Sequence, residues 1–126
     1  MNSLLVLVAG PYRSGTGDDP DKLAANVAAM NRTALEVFRA GHTPITGEAV
    51  ALPLVELAGS TQVGDAVFDE IFHPVGRRLA ERCDAVLRMG GPSAGADEMV
   101  ACARAAGKLV VTAVDELPLA QHDVAA

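Results

Sequence analysis

Residues 3–9, Ser-Leu-Leu-Val-Leu-Val-Ala, form an unbroken apolar run closed by Gly10 and Pro11. A short run without polar alternation is the pattern of a strand buried on both faces, as in a parallel sheet. Asp18, Asp19 and Pro20 then announce a helix. Its apolar positions, Leu23, Val27, Met30, Ala34, Leu35 and Phe38, fall close to helical spacing and predict a helix over 21–40. Gly41 follows where a left-handed residue is wanted. Residues 42–46 predict a second strand. Residues 47–58 are apolar but carry Pro53, which predicts a loop and a short helix. A turn region spans 59–64, and 65–82 predict a helix kinked or broken by Pro74 and Gly76. Residues 84–88 predict a third strand, 95–106 a helix ended by Gly107, and 109–114 a last buried strand. The tail from Leu117 predicts a turn and a frayed end.

Alternating strands and helices imply one α/β domain over residues 1–126: a three-layer, Rossmann- or flavodoxin-like arrangement with a small parallel sheet of about four to five strands. In such sheets ligands bind beyond the carboxyl ends of the strands, where strand order reverses. That rule selects the loops 10–20, 46–50 and 89–98 before any chemistry is considered.

Composition narrows the picture. The chain has 126 residues, half of them apolar, with 3% aromatics and no Trp, so its core is built from Ala, Val and Leu. A net charge of −6 argues against nucleic acid polymers and anionic membranes as partners. Cys83 and Cys102 lack C-x-x-C spacing, and the apolar N-terminal run has no basic region before it and is too short to span a bilayer. Both features fit a cytoplasmic protein with reduced thiols.

The first loop reads Gly-Pro-Tyr-Arg-Ser-Gly-Thr-Gly-Asp-Asp from Gly10. Gly10 and Gly15 allow close backbone approach, Arg13 and Ser14 supply donors, and Tyr12, the single tyrosine, offers a ring to stack. Neither a phosphate-binding G-K-[ST] loop nor G-x-G-x-x-G is present. In the second loop Glu48 either faces a ligand hydroxyl or serves as a first-turn acid of the following segment. The third loop, Gly90-Gly-Pro-Ser-Ala-Gly-Ala-Asp-Glu98, opens a helix whose backbone N–H groups favour anions, with Ser93 adding a hydroxyl. Asp97 and Glu98 are either macrodipole partners or working carboxylates. Asp65, Asp69, Glu70 and His73 share helical spacings, but D-E-x-x-H has no second histidine at metal-ligand spacing, so no metal is expected.

Taken together, Ala-Gly-Pro-Tyr-Arg-Ser-Gly at 9–15, Asn26, Gly-His-Thr-Pro at 41–44, and Arg82 to Glu98 followed by A-x3-G-K-x-V resemble the nucleoside 2-deoxyribosyltransferase-like superfamily, and within it a bacterial branch of unknown function. The resemblance covers roughly residues 4–118. It implies a domain that handles nucleosides or nucleoside monophosphates and cleaves a base–sugar bond through a carboxylate nucleophile. A glutamate there meets an oxocarbenium-like centre, as in retaining glycosidases. It also implies that Ser93, Gly95, Gly10, Tyr12, Arg13, Ser14 and Gly15 hold the ligand, that no cofactor is needed, and that the protein forms a homodimer or higher homo-oligomer. The family spacing puts the nucleophile six residues after Ser93 and eight before Gly107. Both counts land on Met99, with Glu98 one residue early and Asp97 two. One step along a helix is about 100° of rotation. The sequence therefore leaves two readings: an N-glycosidase or deoxyribosyltransferase-like enzyme using Glu98, with Asp97 or Glu48 assisting, or a non-catalytic nucleotide-binding or sensing module.

Overall fold

The computed structural model describes residues 2–120. Its elements run β1 (Leu5–Ala9), α1 (Pro20–Arg39), β2 (Thr43–Thr46), α2 (Gly47–Leu57), α3 (Ala66–Arg82), β3 (Ala85–Arg88), α4 (Ala94–Ala105) and β4 (Leu109–Val111), followed by a 3₁₀ turn at Val114–Glu116. The sheet is four-stranded and wholly parallel, in the order β2-β1-β3-β4. The α/β architecture expected from the alternation is the one observed.

The apolar run of β1 is continuous because both of its faces are covered. Val6, Leu7, Val8 and Ala9 are all fully buried. Val6 and Val8 join Ala85 and Leu87 of β3 under Met30 and Val37 of α1. Leu7 and Ala9 join Val86 on the opposite face, under Ala80 of α3 and Ala96, Val100 and Ala103 of α4. Period-2 alternation along two central strands thus builds two cores, one per helix layer.

The chain leaves β1 for β2 on one side and returns to β3 on the other. The gap between the carboxyl ends of β1 and β3 is therefore the point where the winding reverses, which is where open sheets of this kind receive ligands. Gly41 and Gly107 close α1 and α4 with φ of +95° and +73°, as their positions predict.

Three expectations are corrected. Residues 47–57 form one helix through Pro53, not a loop and a short helix. Residues 66–82 form one helix through Pro74, without a break. Each proline removes one backbone donor, yet both helices bury a face, with Ala51 and Val55 in α2 and Phe68, Gly76 and Ala80 in α3, and that packing outweighs the lost bond. The last strand stops at Val111 instead of reaching residue 114. Glu116 Oε1 accepts from Thr112 N (2.6 Å), Thr112 Oγ1 (3.0 Å) and Ala113 N (3.1 Å), which turns the backbone away from the sheet. Among the described residues no helix is long and apolar enough to cross a membrane.

His42 is a structural clasp. It is buried, Leu4 N–H donates to its Nδ1 at 3.0 Å, and its Nε2–H donates to the Pro118 carbonyl at 2.8 Å. Asp65 anchors the start of α3. Its carboxylate accepts from Phe68 N and Ser60 Oγ at 2.8 Å each and from Thr61 N at 3.0 Å. The Phe68 amide first, then the Ser60 hydroxyl, hold the Asp65 carboxyl at about 2, below its usual 3.8. Asp65→Ala is expected to lower the unfolding midpoint at pH 7. Because the folded form keeps the carboxylate ionised, the difference from wild type shrinks as pH falls from about 3.8 through about 2. Thermal melts of both proteins across that range check it.

Candidate functional site

Two cavities lie toward the carboxyl edge of the sheet. The first is an open groove at the β1–β3 switch point, about 520 Å³ in volume. The loop after β1 contributes Pro11, Ser14 and Gly15, and α1 contributes Asn26. The loop after β3 and the first turn of α4 contribute Gly91, Pro92, Ser93 and Ala94. Asn26 holds the first loop in place, its Nδ2 donating to the Tyr12 carbonyl at 2.8 Å. Thr16, buried in the same loop, donates from Oγ1 to the Arg13 carbonyl at 2.6 Å.

Ser93 is the N-cap of α4. It is buried, and its Oγ accepts from Ala96 N at 3.1 Å. The amides of Ala94 and Gly95, as the first in the helix, have no partner within it. The Ala94 amide supplies the groove's donor character together with the Ser14 hydroxyl. Among the described residues no basic side chain lines the groove.

The second cavity is a slot of about 20 Å³ between α2, α3 and α4, room for about one water molecule. Its walls are Gly47 of α2, Phe72 and Gly76 of α3, and Met99 of α4. The side chain of Met99 lies along the Gly76 backbone, so that a Cβ on Gly76 would stand 3.1 Å from Met99 Sδ. Glu48 closes the inner end with only 3% of its surface exposed. Burial pushes its carboxyl from 4.5 up to about 7, opposed in part by its own backbone amide. His73, Arg77 and Glu98 stand around the slot on α3 and α4. Ala94 lines the groove and Gly95 the slot, so both cavities border the first turn of α4.

The residues singled out in the sequence divide between these places. Ser14, Gly15 and Ser93 come together in the groove, and Gly95, Glu48 and Glu98 around the slot. Tyr12 stacks on Phe72, ring centroids 5.2 Å apart, beside the slot. Burial first, then the charges of Glu48 and Asp18, push its phenol above the usual value. Gly10 contacts neither cavity: a Cβ there would run into Met89 Sδ and come within 3.4 Å of Met30 Cγ. Arg13 does not reach the groove. It forms a bidentate pair with Asp18 (2.9 and 2.8 Å) and lies over the Phe68 ring at 5.7 Å.

Both helix-start acids are committed to arginines. Asp97 pairs with Arg88 at 3.0 Å, and Arg88 also donates to the Met89 and Gly91 carbonyls, stitching the third loop to α4. Glu98, half exposed, pairs with Arg77 at 3.0 Å. Met99 thus takes the place inside the slot that the register count assigned to a nucleophile. Sequence reading had passed over Phe72 and had taken Gly76 as a kink or break in the helix, not as part of a cavity wall. Their spacing of four, one turn after Phe68, was the available signal for a shared helix face.

No family model matches the chain, and no curated protein does. The site has to be read from its own chemistry. Among the described residues no cluster of three or more His, Cys, Asp or Glu could hold a metal ion.

Proposed function

We propose that the protein binds a nucleoside at the carboxyl edge of its sheet, with the sugar in the groove and the base toward the slot, and forms no covalent glycosyl–enzyme bond. The observation that carries this reading is the pair of cavities that border the first turn of α4, the groove at the β1–β3 switch point and the slot beside it. One offers hydroxyls and a free amide, as a sugar needs. The other offers a ring, a thioether and one buried carboxyl, as a base needs. The resemblance to the deoxyribosyltransferase-like superfamily points the same way. Covalent catalysis fits poorly, because a thioether cannot attack an anomeric carbon and Glu98 is engaged by Arg77 at the surface. A neutral nucleoside is favoured over a 5′-monophosphate, since Arg13, Arg77 and Arg88 are each paired with a carboxylate.

A second reading rests on Glu48. A buried carboxyl poised at about 7 suits a general acid. In a hydrolytic N-glycosidase its proton would pass to the departing base nitrogen as the C–N bond breaks. Water would add to the anomeric carbon and return a proton to the carboxylate.

One panel tests both readings: ribo- and deoxynucleosides and their monophosphates, followed by thermal shift and by chromatography for free base. The expected result is stabilisation by nucleosides, weaker stabilisation by monophosphates, and no base release. Base release that persists in Glu98→Ala and vanishes in Glu48→Gln establishes the second reading. Release that vanishes in Glu98→Ala restores the nucleophile and overturns both, and no stabilisation by any compound overturns the binding reading.

A further inference from the structure

The segment after β4 is fastened to the body of the fold at two neighbouring points. Leu117 is buried and belongs to the core that β1 and β3 build under α1. One residue later, the Pro118 carbonyl accepts from His42 Nε2–H at 2.8 Å. His42 is 2% exposed, and its other ring nitrogen, Nδ1, accepts from Leu4 N–H at 3.0 Å. Both partners are main-chain groups with fixed roles: the amide donates and the carbonyl accepts. Together they admit one form of the ring, neutral with its proton on Nε2. A second proton would sit on Nδ1, donor against donor at the Leu4 amide, and would leave a charge shut away from water. Beyond these two points the segment is lightly held. Leu119 is 91% exposed, and a cavity of about 430 Å³ is lined by residues of 114–119 together with Glu36 and Ala40 of α1.

We propose that residues 112–118 form a strap released by a proton: a neutral His42 holds it over the core under α1, and a second proton on the ring breaks the Leu4 bond and lifts Pro118 and Leu117 from their seats. The charged ring is relieved only by water. Of its surroundings, Leu4 runs into the central strand and Val37, whose carbonyl accepts from His42 N, lies within α1. The strap is the one neighbour that can move without breaking the sheet or a long helix.

The elements packed around His42 bring further charged groups: Glu36 and Arg39 from the last turn of α1, Asp84, whose carboxylate accepts from Leu5 N at 2.8 Å, and Asp115 and Glu116 of the strap itself. Glu116 holds the start of the strap, and the Thr112 amide and hydroxyl keep its carboxyl below the usual range, so it stays ionised in mildly acidic solution. The experiment must therefore isolate His42 from these groups and from His73 and His122.

Amide exchange is followed by NMR from pH 7.5 to 5, corrected for the intrinsic pH dependence of exchange, with the His42 ring nitrogens observed in the same samples. A ring freed from the clasp takes its second proton in the ordinary histidine range, about 6.5, whereas the strapped ring does not. The strapped form is thus fully stable above that range and loses stability as pH falls through it. Protection of the Leu4 and Leu117 amides is expected to hold above about pH 6.5 and to fall about tenfold for each pH unit below it. Leu7 and Val86, paired at the centre of the sheet, are expected to keep theirs.

His42→Gln supplies an acceptor and a donor without titrating, so it is expected to keep the strap and lose the pH dependence. His73→Gln and His122→Gln are expected to behave as wild type. Protection unchanged down to pH 5 overturns the proposal, as does a fall that survives in His42→Gln, disappears in His73→Gln or His122→Gln, or is shared by Leu7 and Val86. If His42→Gln does not fold, the wild type decides: ring protonation and loss of Leu117 protection at one midpoint support the strap, and a doubly protonated His42 beside a protected Leu117 overturns it.

Discussion

Phe68→Ala is expected to destabilise the protein by about 3–5 kcal/mol, near the top of the range for single substitutions. Phe68 is 1% exposed and the largest fully buried side chain among the described residues. Its ring stacks on Phe72 at 4.6 Å and Tyr12 at 6.4 Å between centroids and carries the Arg13 guanidinium above it. In a chain with 3% aromatics these contacts have no substitute nearby. Removing the ring leaves a cavity that the helix backbones of α2 and α3 cannot close. Urea unfolding of the variant checks the magnitude, and a loss below about 1 kcal/mol contradicts it. Because Tyr12 is the only tyrosine and Trp is absent, tyrosine emission reports the stack directly. Phe68→Leu, which keeps most of the volume but not the stack, is expected to cost less in stability while still changing that emission.

The same cluster shows where sequence reading succeeds and where it stops. β1 was legible because seven consecutive small or apolar residues admit few other uses in a chain of this composition. The ends of α1 and α4 were legible because Gly41 and Gly107 carry local geometric information. The continuity of α2 and α3 was not. Pro53 and Pro74 argue locally for a break, and what overrides them is burial of residues such as Val55 and Gly76 against elements distant in sequence. Side-chain partners were the least legible. Arg13 read as a ligand donor, but Asp18 takes a left-handed φ of +60° that carries its carboxylate back onto the guanidinium.

Glu48 and Glu98 exchange the weights that sequence gave them. Glu98 lies in the loop that topology and resemblance both favour, yet its helix rotation brings it to Arg77 at the surface. Glu48 looked like an ordinary first-turn acid, and it is one: it sits just after the Thr46 cap of α2. Only the packing of α2 on α3, with glycine at the closest approach, encloses it. The register offset at Met99 was visible in the sequence. Its consequence, a slot whose carboxyl comes from a different helix, was not, because it depends on three elements meeting.

Glu48→Gln is expected to stabilise the folded protein at pH 8 by about 2–3 kcal/mol while changing little at pH 4.5. The sign follows from the direction of the shift. Burial raises the Glu48 carboxyl from 4.5 to about 7 in the folded state, so the folded protein holds this proton more tightly than the unfolded chain does. Its contribution is therefore fully present below about 4.5 and is lost as pH rises through about 7. At about 1.4 kcal/mol per pH unit, the loss reaches about 3 kcal/mol. Glutamine has nearly the same shape and no charge to bury, so the variant escapes the loss. Denaturant unfolding at half-unit steps from pH 4 to 9 tests this, since all other titrations are shared and cancel in the difference. The gap between the two curves should open between pH 4.5 and 7 and then hold constant; parallel curves would show that Glu48 ionises freely. A gap of the expected size means that the wild-type chain gives up a large share of a typical folding free energy at neutral pH to keep a carboxyl where an amide would be more stable. Such a cost is the mark of a group retained for what it binds or protonates, not for what it packs against.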